Sequence, residues 1–477
     1  VLLPRFSAQL EYAAPDGSDL GLFLPYTPLQ HLLLGNHGLR ALVMTSGNRS
    51  EEPIAIGNEE ALDRLSELAD FFLLHNRDIL LRCDDSVVRR IAGKTSFARR
   101  SRGFVPAPIL LGESVPAILA VGGELKNAIC LSRDRLAFMG QHIGDMEELS
   151  AYNFFQESIR HFEDTLEVTP WIVAHDLHPA YLSTQWARRQ PNVRLVGVQH
   201  HHAHIASCMA ENHLTGPVIG VALDGTGYGT EGNAWGGEVL IADYKSFERA
   251  AHFAYVTMPG GAQAIREPWR MAIAYLWQTF GPQWRTHCPP ALLSKVSEGS
   301  LRVMEQMLLN GHLSPRTSSC GRLFDAVAAI VCNRTEVTYE AQAAIALEAC
   351  CGPRADDGGY PFAITESECL QMDARPLFAA LTDDISHNVA AGIVSRRFHN
   401  GLVDVLTEVV DRVAGQSGLH KVCLSGGSFQ NRILSEDLSA SLSRQGFHVF
   451  TQSEVPCGDG GLSLGQLIVA AHHAEGE

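Results

Sequence analysis

Three stretches share one pattern: an apolar run that ends in a glycine turn. Residues 117–121 lead into Gly122 and Gly123, residues 218–223 into Asp224, Gly225, Thr226 and Gly227, and residues 422–424 into Ser425, Gly426 and Gly427. Each reads as an apolar strand that runs into a glycine turn, and such turns present backbone N–H groups suited to an anion. Three such turns suggest two lobes whose strand ends converge on one nucleotide. A hairpin is expected after the second, with residues 233–237 leading into the strand-like 238–242, while 269–277, 301–309 and 462–471 have helical spacing. Earlier, apolar runs at 20–24, 29–34 and 41–44 predict an α/β unit. The last of these reads as a strand feeding a polar turn of Thr45, Ser46, Gly47, Asn48, Arg49 and Ser50. Pro106, Pro108 and the Gly112, Glu113, Ser114 stretch read as a linker, dividing residues 1–112 from 116–477.

Length and composition narrow the class. A chain of 477 residues suggests about two to four domains. Its 45% hydrophobic and 19% charged content is that of a globular protein. With 37 basic against 53 acidic residues the net charge is −16, which repels a phosphate backbone, so nucleic acid is not expected as a partner. The 11 cysteines are scattered and form no C-x-x-C pair, pointing to a reducing compartment rather than a disulfide framework or zinc ribbon. No run of about 18 apolar residues offers a membrane span, and a cytoplasmic location is expected. Val1 stands where a Met would begin a complete chain, so truncation or processing at this end is also expected.

Four of the 21 histidines fall within five positions, His200, His201, His202 and His204. On a helix, His200 and His204 lie one turn apart on one face and can aim at a single ion; a solvated polar helix start is the alternative. Asp224, at a strand end, can hold a cation or cap its own turn. Asp459, flanked by Gly458 and Gly460 before the last helix, is either an N-cap or the ligand that a histidine pair still requires. Residues 82–90 and 99–103 concentrate arginine near the Ser46 to Asn48 turn, a combination suited to phosphate or carboxylate.

Taken in order, the motifs resemble the HypF family of hydrogenase-maturation carbamoyltransferases. VGGELKNA, HHHAH, DGTGYG with WGGE, GRLFDAVAA, YEAQAA, SGGSFQN and CGDGG are similar to its C-terminal, TsaD-like domain, of the two-lobed actin- and Hsp70-like (ASKHA) ATPase fold. LPYTPLQHLLL, TSGNRSEEP, DDSVVRR and RRSRGFVP resemble the C-terminal part of a YrdC-like α/β domain. The resemblance implies a metal site at His200, His204, Asp224 and Asp459, holding zinc or iron, with magnesium a further candidate. It implies adenosine at Ser425, Gly426, Gly427 and Asn431, with Asp325 in the same nucleotide site, and a phosphate path along Gly122, Gly123, Lys126, Asn127, Gly225 and Gly227. In the YrdC-like part it assigns ATP and carbamoyl-adenylate to Ser46, Asn48, Ser86, Arg100 and Arg102. The implied substrates are carbamoyl phosphate and ATP, and the implied acceptor is the C-terminal cysteine of HypE. Family members begin with acylphosphatase and cysteine-rich zinc-finger regions that have no counterpart in these residues, and Ala341 stands where their motif carries glycine. Three competitors are an O-carbamoyltransferase acting on a small-molecule hydroxyl, a non-catalytic Hsp70-type ATP switch and a tRNA-modifying relative. The first would show the reverse domain order, the second would need no histidine pair, and the third should carry a basic face.

Overall fold

The computed structural model describes residues 1–5, 13–14, 17–36, 38–49, 52–311, 313–353 and 358–474. The three apolar runs become the strands Ile118–Ala120, Val218–Tyr228 and Lys421–Ser425. The first two hold equivalent places in two sheets. Ile118–Ala120 pairs antiparallel with Cys130–Met139 and parallel with Ile172–Asp176, which pairs parallel with Arg194–Val198. Val218–Tyr228 pairs antiparallel with Ala234–Ala242 and parallel with Lys421–Ser425, which pairs parallel with His448–Phe450. The same strand grammar used twice makes two lobes. Parallel neighbours require crossovers that cover the sheet faces with helices. Ile172–Asp176 is accordingly buried along its whole length, as is Val218–Tyr228 up to Asp224, which is why residues 218–223 read as an unbroken apolar run.

Two expectations are corrected. The stretch read as a linker contains the strand Ile109–Val115, paired antiparallel with Cys130–Met139 at the edge of the first lobe's sheet. Ile109, Leu111 and Val115 are buried while Leu110 and Gly112 to Ser114 are exposed, so an alternating pattern is hidden under turn-forming residue types. Residues 41–44 form no strand, and Val43 is 87% exposed; an apolar run without a partner strand gains no ladder. In the turn that follows, Ser50 and Glu51 lie outside the described residues.

The first portion consists of the hairpin-like pairs Leu2–Pro4 with Asp19–Gly21 and Val87–Ile91 with Lys94–Arg99, and the helices Pro28–Asn36 and Asn58–Leu65. It docks on the second lobe through Arg89, which donates to the Gln430 carbonyl (3.0 Å) and to Glu348 Oε1 (3.1 Å).

The histidine run opens the helix His200–Glu211, capped by the Gln199 side chain accepting from the His202 N–H at 2.9 Å. All of this helix is buried. It packs against the last helix, Leu462–Ala474, whose first ten residues, 462–471, are buried as well. The contact is backbone-close: a Cβ on Gly465 would stand 1.8 Å from the Ala203 carbonyl oxygen. Among the described residues no helix is long and apolar enough to cross a membrane.

Candidate metal and nucleotide site

A buried helix with four histidines must satisfy each ring, and the partners separate the rings by role. His202 Nε2 meets the Asp243 carbonyl at 2.6 Å, facing away from the carboxylates. His201 Nδ1 faces the Gln199 amide at 3.3 Å, and its Nε2 has no hydrogen-bond partner among the described residues. His200 and His204 converge: their Nε2 atoms lie 3.2 and 2.9 Å from Asp224 Oδ2, and each lies 3.6 Å from Asp459 Oδ1. These four donor atoms lie within 4.8 Å of one another.

Their spacing fits a cation. Bonds of about 2.0–2.1 Å in a tetrahedral site set ligand atoms about 3.3 Å apart, and the four His-to-Asp separations bracket that value. Two imidazoles and two carboxylates form a borderline donor set compatible with zinc or iron. Asp224 is held for this task from both sides. Oδ2 faces the two rings, while Oδ1 accepts from the Gly225 N–H (2.7 Å) and the Gly427 N–H (3.2 Å). Gly426, at φ 106°, allows that approach, because a Cβ there would stand 2.2 Å from the Leu223 carbonyl oxygen.

Charge is balanced inside the cluster. Burial works against the ionised Asp224, but hydrogen bonds from His200 and His204 outweigh it and hold the carboxyl well below its ordinary range. Burial likewise opposes the imidazolium forms, yet the surrounding carboxylates raise His200 well above its usual value and raise His204 as well. Burial lowers His201 well below the usual histidine value.

Beside the cluster a cavity of ≈ 380 Å³ opens between the two portions of the chain. Lys126, Asp224, Gly225, Asp325, Gly427 and Asn431 line it from the lobes, and Asp19 and Arg89 from the first portion. Lys126 Nζ meets Glu340 Oε2 at 2.5 Å. Desolvation works against its charge, but Glu340, Asp459 and Asp224 keep it ionised and raise its pKa. Arg322 pairs with Asp325 at 2.7 Å.

Several residues expected to touch nucleotide spend their polar groups on the protein instead. The Gly122 N–H donates to Gln466 Oε1 (2.9 Å), and the Gly225 and Gly427 N–H groups are taken by Asp224, so these donors serve the scaffold rather than a phosphate. Asn127 bonds the Val121 and Gly123 carbonyls, Ser425 Oγ bonds the Cys457 carbonyl, and Asn431 caps the helix Arg432–Arg444 and meets His399 Nε2. Gly227 lies under the rings of His200 and His201. Gly123 backs onto Asp459, where a Cβ would stand 3.5 Å from Oδ2.

In the first portion, Ser86 Oγ donates to the Arg102 carbonyl (2.9 Å) and accepts from the Ser101 N–H (2.8 Å), which brings Ser86 and Arg102 together. Ser46 and Asn48 form a separate turn, tied by the Asn48 N–H to the Ser46 carbonyl and by the Asn48 amide to the Arg49 and Glu52 carbonyls. Arg100 is buried with Nη2 on the Ala107 carbonyl, and its Nη1 has no hydrogen-bond partner among the described residues.

Sequence reasoning missed Asp176, Arg322 and Glu340. A carboxylate at the end of an apolar strand, as at Asp224, was the available signal for Asp176. Ala341 lines the cavity at φ 60°, a left-handed position that favours glycine and explains why a glycine motif fits there.

Glu124, in the first glycine turn, is buried and accepts from the Leu182 N–H at 2.7 Å. Burial pushes its carboxyl up from 4.5 to about 7, the Leu182 bond opposing the shift and Asp145 and Glu147 adding to it. The folded chain therefore keeps this proton to higher pH than the unfolded chain does, and loses stability as pH rises from 4.5 to about 7. Glu124→Gln is expected to be more stable than wild type by about 1 kcal/mol at about pH 8, after allowing for solvent screening, with the difference closing near the unfolded pKa. Thermal melts at the two pH values check this.

Comparison with known proteins places the whole arrangement. Residues 220–466 match a family model described as "Carbamoyltransferase, Kae1-like Domain, second subdomain", residues 113–211 the "HypF Kae1-like domain", and residues 1–101 the Sua5, YciO and YrdC model described as "Telomere recombination". Carbamoyltransferase HypF of Synechocystis sp. is 38% identical over 473 residues, covering 96% of this chain and 61% of that protein. A carbamoyltransferase HypF homolog of Cupriavidus necator is 38% identical over 378 residues, covering 76% of this chain and 93% of that one. The crystal structure of full-length HypF in its phosphate- and nucleotide-bound form superposes with a TM-score of 0.92 at 42% identity, over 97% of this chain and 72% of that one. The chain spans 61%, 62% and 59% of the length of three longer curated relatives. By these matches the chain belongs to the HypF carbamoyltransferase family.

Proposed function

We propose that the chain performs carbamoyl transfer in hydrogenase maturation, moving a carbamoyl group from carbamoyl-adenylate, made from carbamoyl phosphate and ATP, to the C-terminal cysteine thiolate of HypE. The observation that carries this reading is the cavity shared by the two portions, with the His200, His204, Asp224 and Asp459 cluster beside its wall. Its size suits a nucleotide-sized ligand, and the related full-length HypF crystallised with phosphate and nucleotide bound.

In the transfer the thiolate sulfur forms a bond to the carbamoyl carbon. The bond from that carbon to the adenylate oxygen breaks, and AMP leaves with the electron pair. Negative charge grows on the departing phosphate, and Lys126, Arg89 and Arg322 are cavity-lining cations that can offset it. The Gly225 and Gly427 N–H groups hold Asp224, so their contribution is to keep the cluster rigid. A divalent cation held by His200, His204, Asp224 and Asp459, whether zinc, iron or magnesium, would supply Lewis acidity toward the carbamoyl oxygen.

Synthetic carbamoyl-adenylate and a peptide ending in the HypE cysteine, incubated with the chain, should yield a thiocarbamate detectable by mass spectrometry. Absence of product above the uncatalysed background would refute the assignment. Transfer to a small-molecule hydroxyl with no product on the thiol would replace it with an O-carbamoyltransferase.

A further inference from the structure

Asp176 belongs to no ligand set, yet it is fully buried at the end of the strand Ile172–Asp176 and touches the cluster directly. Both of its carboxylate oxygens are committed. Oδ1 accepts the backbone N–H of His178 at 2.8 Å, and Oδ2 faces Nδ1 of His200 at 2.8 Å. The residue's carbonyl is held in turn by Thr184 Oγ1 at 3.1 Å and by the His175 ring at 2.6 Å. Strand end, helix start and carboxylate plane are thereby fixed relative to one another.

An ionised carboxylate can only accept a hydrogen bond, so the proton between these groups sits on His200 Nδ1. When a cation takes the place of the Nε2 proton, the ring is a neutral imidazole protonated at Nδ1, with its lone pair on Nε2, the atom that faces Asp224 Oδ2 at 3.2 Å and Asp459 Oδ1 at 3.6 Å. The opposite tautomer would aim a proton at the position where the cluster needs a donor. We infer that Asp176 is the positioning residue that locks His200 in its metal-binding tautomer and orientation, an inference that rests on reading the four-residue cluster as a cation site. The arrangement follows the general logic of outer carboxylates behind metal-bound histidines. Here it is supplied by a residue 24 positions away in sequence, on a different element.

The same geometry says what asparagine would do. The His178 N–H requires an acceptor, so the amide of Asp176→Asn would turn its oxygen toward that group and its NH2 toward His200 Nδ1. An NH2 group there demands a lone pair from Nδ1 and moves the ring proton to Nε2. The isosteric change should therefore disable the ligand while sparing the packing, whereas Asp176→Ala merely frees the ring.

The test uses the full chain, stripped of metal and titrated with zinc against a chromophoric chelator. Wild type is expected to bind, and Asp176→Asn to bind about 10–100-fold more weakly with an unchanged circular dichroism spectrum. Equal affinity in the two would overturn the inference and leave the cluster reading intact. If wild type binds no zinc, or if His204→Ala binds it as tightly, the cluster reading falls and this inference with it. A second measurement needs no variant at position 176: nitrogen NMR of the zinc-loaded, histidine-labelled chain, with His200 assigned through His200→Gln. A proton on Nδ1 supports the lock, and zinc on Nδ1 overturns it.

Discussion

His204→Ala is expected to lower divalent-metal affinity by more than the ~10–100-fold typical of losing an outer-sphere partner, and to remove measurable thiocarbamate formation with it. His204 Nε2 stands 2.9 Å from Asp224 Oδ2 and 3.6 Å from Asp459 Oδ1. Removing it leaves the buried Asp224 and the partly buried Asp459 carboxylates facing one histidine. Like charges in a desolvated site drive protonation of one carboxyl, which subtracts a second donor from the site. Zinc titration and the peptide assay read both losses. His202→Ala is the internal control, one residue type on the same helix with the opposite prediction. His202 Nε2 is bonded to the Asp243 carbonyl, so its loss should cost about 1–3 kcal/mol of stability through an unsatisfied buried carbonyl while zinc affinity stays close to wild type. Equal damage to metal binding from both substitutions would contradict the division of roles along the helix.

Gly465→Ala is expected to cost about 3 kcal/mol or more of stability and to weaken metal binding in whatever fraction remains folded. The new methyl would stand 1.8 Å from the Ala203 carbonyl oxygen, 2.6 Å from its carbon and 2.9 Å from the Ser207 nitrogen. All three are backbone atoms of the histidine helix, so no rotamer change relieves the clash and the helices must separate. Ser207 Oγ donates to the Gly461 carbonyl at 2.9 Å, two residues after Asp459. Separation at Gly465 therefore moves the segment that delivers the fourth carboxylate. Gly415 provides the contrast, because it sits in the helix Ala391–Ser417 with nothing within 4 Å of its would-be Cβ. Alanine there should stabilise by about 0.5–1 kcal/mol. Thermal denaturation of the two variants and zinc titration of Gly465→Ala check both claims.

Much of the fold was legible because its central strands are buried on both faces and advertise it with unbroken apolar runs. The hairpin after Asp224 and the final helix were equally plain. The strand Ile109–Val115 was not, since Gly112, Glu113 and Ser114 occupy its solvent side and carry turn-forming chemistry on an edge strand. The run at 41–44 failed in the other direction: β-type composition becomes a ladder only if another strand lies beside it. The glycine turns were read as phosphate donors from composition, but a backbone N–H bonds to the acceptor that the fold brings nearest, and for Gly225 and Gly427 that acceptor is Asp224 Oδ1.

The sequence by itself determined the pairing of His200 with His204, because the helical period of 3.6 residues per turn places positions four apart on one face whatever surrounds them. It also determined the apolar strand that leads into Asp224, since continuous burial leaves that mark on composition. Only the tertiary structure decided which carboxylates those histidines meet, that Asp176 stands behind His200, that Lys126 faces Glu340 and that the first portion closes the cavity with Arg89. These contacts join positions 20 to 341 residues apart, where no local periodicity operates. What sets them is the packing of the last helix against the histidine helix and the parallel pairing of strands whose ends then point at one place.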